Sequence, residues 1–123
     1  MGNDHSVSSW WTVRRDDLLA ELAAALVFFG ADPLEDPGAG ELADTAQVLA
    51  GEYRASTRGP AIHRAGDLLD QAAAELRTAD RFRGTLLPQL TRHLRCARAL
   101  LGRARGHLET AADGERAPAS ATR

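Results

Sequence analysis

The chain has 123 residues, 44% hydrophobic and 26% charged, enough for one small domain around a single core. Its net charge of −2 conceals a division: residues 1–52 hold ten acids against two Arg, and residues 53–123 hold thirteen Arg against seven acids. A single cysteine excludes an intramolecular disulfide and a multi-cysteine zinc site, and no run approaches the roughly 20 apolar residues of a membrane span.

No GxGxxG, P-loop, HExxH or GxSxG motif occurs, and His5, His63, His93 and His107 do not fall at metal-ligand spacings. Neither a cofactor nor a metal is expected. The opening MGNDHSVSSW lacks the basic segment and apolar core of a secretory signal, so a cytoplasmic location is expected.

Apolar residues recur with the 3.6-residue period and never alternate over a strand's length, which predicts an all-α fold, a small four-helix bundle with a long C-terminal helix. Residues 1–11 read as a flexible arm, 12–112 as the helical domain and 113–123 as a disordered tail. The first helix is predicted over 12–29, with Leu18, Leu22, Leu26 and Phe29 on one face and Gly30 ending it. The link GADPLEDPGAG follows, acidic and broken by Pro33 and Pro37.

The second helix, over 41–55, stacks Leu42, Ala46, Leu49 and Tyr53, with Gly51 a weak point. The third, over 60–79, opens on Pro60 and aligns Ile62, Ala65, Leu69, Ala72 and Leu76. The corner ADRFRG leads to the fourth, over 85–112, with Thr85 as its cap and Pro88 in its first turn.

In that fourth helix Leu87, Leu90, Leu94, Ala97, Leu101, Ala104 and Leu108 alternate steps of three and four, a seam of coiled-coil type. At 1.5 Å per residue it is about 42 Å long against about 30 Å for the third helix. The overhang predicts a homodimer through 85–112, with His93 and His107 at the edge of the contact and Cys96 an ordinary small helical residue. Residues 81–107 carry seven Arg and no acid. Either they form a site for anions or they face the acidic half of the same fold, and the second reading is preferred.

Candidate site residues are few. His63, near the start of the third helix, is placed to meet Asp67 and Asp70, and near a helix N-terminus its neutral form is favoured, as a general base requires. The plainer reading is a surface histidine paired with an acid. Arg81, Phe82 and Arg83 combine fixed charge with an aromatic face and suit a substrate carboxylate, with Arg83 the leading group. The plainer reading is an interhelical turn whose Phe82 plugs the core. In an up-down-up-down bundle, His63 and this corner lie at opposite ends, so one site using both requires two subunits. Trp11 and Tyr53 are expected at the His63 end, walling the pocket.

Taken together, DLLAELAAALVFFGADPLEDPGAGELADTAQVLAGEYRAS, GPAIHRAGDLLDQAAAELR and LLPQLTRHLRCARALLGRARGHLE, in that order in a lysine-free, Ala/Arg-rich chain, resemble small actinobacterial helical proteins of natural-product clusters. The nearest are the lysinoalanine-forming proteins of cinnamycin and duramycin-type lanthipeptide clusters. The resemblance implies a cofactor-independent homodimer that adds a substrate lysine amine to a dehydroalanine of the same dehydrated peptide. It assigns no catalytic residue. The alternative is a non-catalytic helical interaction module, a scaffold or regulator. An isoelectric point near 6.1 and the acidic first half oppose a nucleic-acid partner.

Overall fold

The computed structural model describes the backbone over 2–84 and 87–121 and the side chains over 13–84 and 87–113. These residues form four helices and no strand: α1 (Gly2–Phe28), α2 (Ala39–Ala55), α3 (Pro60–Arg81) and α4 (Leu87–Ala121). The all-α fold and the long last helix are as predicted.

The ends differ from expectation. α1 begins at Gly2, inside the predicted arm, and α4 runs to Ala121, inside the predicted tail. Between Asn3 and Val27 no Gly or Pro interrupts the chain, so a helix anchored by core leucines extends backward at little cost. Apolar periodicity reports what a helix buries and not where its backbone stops. Thr85, the expected cap of α4, lies outside the described residues, while Pro88 does fall in the first turn of α4.

Helix ends follow local chemistry. After Phe28, the N–H of Ala31 bonds the Leu26 carbonyl at 3.1 Å and that of Gly30 bonds Val27 at 3.0 Å. With Gly30 at φ 114°, this is a Schellman closure that only glycine adopts without strain. α3 starts with Pro60 in its first turn, where the missing N–H costs nothing.

The topology is not up-down-up-down. Asp44 meets Arg77, while Arg54 meets Asp67 and Asp70, so α2 and α3 are antiparallel. Phe82 stacks near the start of α4 on His93, and Ala61 and Arg64 lie by its Arg103 and His107, so α3 and α4 are antiparallel too. Glu21 meets Arg98 and Phe28 meets Arg105, a step along α1 matched by the same step along α4, and these two run parallel. α1 and α2 therefore also point the same way. The 30–38 link runs back along α1, with Leu34 and Pro33 beside Val27 and Pro37 beside Asp16, and it fills the space between α1 and α2.

α3 is the central helix, flanked by α2 and α4, with α1 set against α4. Leu22, Leu26, Leu42, Leu69, Leu76 and Leu94 are fully buried, each contributing roughly 1.5–3 kcal/mol of burial. Alanines 46, 65, 72, 97 and 104 sit between them, also fully buried. Gly66 brings α3 closest to α2: a Cβ there would lie 2.6 Å from the Arg54 Cγ and 3.0 Å from its backbone nitrogen.

The α4 seam is consumed within the chain. Leu90, Leu94, Ala97, Leu101 and Ala104 are all at most 2% exposed, covered by α1 and α3. Leu87 and Leu108, at the two ends of the seam, stay half-buried, and its middle no longer requires a second chain, because α1 lies parallel to α4 and covers the side that α3 does not.

Candidate functional site

The sequence-predicted site residues divide between the two ends of the bundle. His63 is exposed in the first turn of α3 and its Nε2–H donates to the Ser56 carbonyl at 2.5 Å. The acids expected beside it are taken by Arg54, which reaches Asp67 at 3.4 Å and Asp70 at 3.6 Å. Tyr53 does lie at the His63 end. Its O–H donates to the Phe29 carbonyl at 3.1 Å, its ring meets Phe29 edge-on at 5.9 Å, and it ties α2 to the end of α1. Burial pushes its phenol above the ordinary value of 10.0, the Glu52 charge adds to this, and Arg58 opposes it.

Trp11 is a correction. α1 runs parallel to α4, so position 11 lies toward the start of α4, at the end opposite Tyr53 and His63; its side chain lies outside the described residues. The expectation that it shares a pocket with Tyr53 assumed an antiparallel α1.

Arg81, Phe82 and Arg83 close α3 at the far end, a helix of 22 residues or about 33 Å from Pro60, as expected. Arg81 is exposed, with no ion pair among the described residues. Arg83 reaches Asp80 at 3.7 Å with its side chain 80% exposed. Phe82 stacks on His93 at 5.7 Å with 9° between rings, and His93 Nδ1 meets Glu75 Oε1 at 2.7 Å. His93 is thus at the edge of the seam as predicted, but its neighbours belong to α3 of the same chain. The Glu75–His93 contact joins two helices that are far apart in the chain, and no local pattern signals it.

Among the described residues, His63, Tyr53, Arg81, Phe82 and Arg83 divide between the two ends, and Arg83 alone of them lines the crevice described next. The feature that sequence reading missed is a long crevice. Its upper part, about 690 Å³, lies between α1 and the link, on Leu19, Ala20, Ala23, Ala24, Val27 and Leu34. Its lower part, about 520 Å³, continues past Asp16, Leu19, Asp36 and Pro37, shared by both, to Glu41, Asp80 and Arg83. Asp36 holds a left-handed backbone, φ 45°, a conformation that Asp tolerates better than most residues. The acidic and Pro-rich link was legible in the sequence. That it folds back along α1 was not.

The Arg-rich segment is only partly neutralised. Arg83, Arg98 and Arg105 reach Asp80, Glu21 and Glu109, and Arg105 also covers the Phe28 ring at 4.5 Å. Arg81, Arg92, Arg95 and Arg103 have no acidic partner among the described residues, so the preferred reading of internal neutralisation holds in part. Three of the acids in the link, Asp32, Glu35 and Asp36, are likewise without an ion pair among the described residues.

Among the described residues no group of three or more His, Cys, Asp or Glu is placed to hold a metal ion, and no helix is long and apolar enough to cross a membrane. Cys96 is exposed and free. Comparison with protein-family models, curated proteins and solved structures gives no match for this chain.

Proposed function

We propose that this chain is a helical interaction module that holds a cationic, amphipathic peptide segment in the crevice between α1 and the 30–38 link. The observation that carries this reading is an apolar floor set inside an acidic rim. Leu19, Ala23, Val27 and Leu34 offer apolar surface, Val27 with 41% of its surface exposed, and Asp36 and Asp16, the latter paired with Arg15 at 3.0 Å, line the same space. Apolar anchors in a groove supply affinity, and charge complementarity supplies selection.

A labelled Leu/Lys amphipathic peptide is expected to bind with a dissociation constant on the order of micromolar, and a Leu/Glu peptide of the same pattern is expected not to bind. Ala20→Arg and Ala24→Arg place bulk and positive charge on exposed helix positions that line the crevice. Each should weaken binding about tenfold with unchanged circular dichroism. Equal binding of both peptides, or indifference to both substitutions, overturns the proposal.

The lysinoalanine-forming reading ranks second, and the same rim supports it, since carboxylates beside an apolar floor suit a lysine-bearing dehydrated peptide. In that reaction the neutral lysine Nζ adds to the dehydroalanine Cβ, the amine loses a proton and the Cα gains one, so mass is unchanged. The reading ranks lower because a site using both His63 and Arg81, Phe82 and Arg83 requires a second subunit, which the crevice does not. Incubation with a dehydrated lanthipeptide, followed by tandem mass spectrometry, separates the two: a mass-neutral crosslink supports the enzyme, and binding without one supports the module.

A further inference from the structure

Of the arginines in 81–107 without an acidic partner among the described residues, Arg103 stands apart by its surroundings. It lines a pocket of about 490 Å³ where α4 passes the start of α3, together with Arg64, His107 and Thr110. No acid lines this pocket. Arg64, like Arg103, has no ion pair among the described residues, so two guanidiniums line one space that no acid lines. Gly106 leaves the floor open, since a Cβ built there meets nothing within 4 Å.

The backbone adds to the cluster. Ala61, in the first turn of α3, also lines the pocket. That turn contains no acid, and its N-cap, Gly59, makes no side-chain hydrogen bond. The start of α2 is different: there the Asp80 carboxylate packs against Gly40 and supplies a negative charge from within the chain.

We propose that this pocket binds a phosphoryl oxyanion of a small ligand. Two forked guanidiniums match its geometry, while the Thr110 hydroxyl and the His107 ring offer further donors. This site lies on a different face from the peptide crevice and does not depend on that reading.

The test uses pyrophosphate as the probe, titrated calorimetrically into the full chain, with citrate as the comparison anion. Saturable binding of pyrophosphate, tighter than that of citrate, is expected. Arg64→Gln and Arg103→Gln should each weaken it about tenfold or more, the usual scale for a lost charged hydrogen bond. Gly106→Glu, which adds an acid where there is room, should abolish binding with circular dichroism unchanged. Arg92→Gln removes the same charge outside the pocket and should leave binding intact. The proposal is overturned if pyrophosphate does not saturate, if citrate binds as tightly, or if Arg92→Gln weakens binding as much as Arg103→Gln does.

Discussion

At Tyr53 a single side chain joins two helices and reports on both. It is the only tyrosine in the chain, so absorbance titration of the phenol reads this site alone, and the midpoint is expected above 10.0. The sign of the linkage follows from that direction. A folded phenol raised above its unfolded value contributes its stability in full below pH 10, and the contribution is lost as pH rises through the folded value. Alkaline unfolding should therefore steepen above pH 10 in the wild type and less so in Tyr53→Phe. That variant also loses the bond to Phe29, at a cost of about 1 kcal/mol or about 4 °C in melting temperature.

Two glycines on adjacent helices should respond oppositely to the same substitution. Gly66→Ala puts a Cβ 3.0 Å from the Arg54 backbone nitrogen and 3.1 Å from the Tyr53 Cβ, atoms that move only if α2 moves. Overpacking of this kind costs about 1–3 kcal/mol, more than the roughly 1 kcal/mol that alanine returns in helix propensity. Gly102→Ala meets nothing within 4 Å and should stabilise by about 0.5–1 kcal/mol. Urea unfolding of the two variants checks both signs.

Among the elements, α4 shows how a correct pattern leaves its partner open. Its seam was legible residue by residue, since Leu90, Leu94, Ala97, Leu101 and Ala104 are buried as the spacing requires. What covers that seam was not legible, because a strip of apolar positions specifies the need for a neighbour and says nothing of which helix supplies it. With the seam inside the chain, Leu94→Ala should cost about 2–5 kcal/mol. Leu94→Asp should unfold the protein rather than release folded monomers. Sedimentation together with circular dichroism decides: a helical, monomeric Leu94→Asp protein would restore the seam to an interface between chains.

α3 makes the complementary point. Its start and end were placed within two residues by Pro60 and by the ADRFRG corner, and its polar residues find partners on both neighbours, Asp67 and Asp70 with Arg54, and Glu75 with His93. Such half-exposed pairs are worth little individually, about 0–1 kcal/mol. They fix the register of three helices more than their stability.

Across the described residues, charge is only partly paired. The link and the adjoining turns of α1 and α2 carry unpaired acids, while Arg92, Arg95 and Arg103 lie along α4. Selection of a cationic peptide at the crevice should thus be screened by salt. Raising ionic strength from about 0.01 M to 1 M shortens the Debye length from about 30 Å to about 3 Å, and affinity for the Leu/Lys peptide should fall about tenfold or more. An affinity independent of salt would mean that the apolar floor acts alone and that the acidic rim is incidental.

Sequence by itself determined the helix class, the breaks at Gly30, Pro33, Pro60 and the ADRFRG corner, and most of the buried leucines, though not Leu68 or the buried alanines 39, 43, 50, 73 and 79. All of these follow from local backbone preferences and from the 3.6-residue period. Only the tertiary structure decided that α1 runs parallel to α4, that the link doubles back to form a crevice, and that Arg64, Arg103 and His107 line one pocket. These depend on contacts between residues far apart in the chain. A link of this length permits either direction for α2, and the choice falls to the packing of leucines and alanines around α3, which no local pattern encodes.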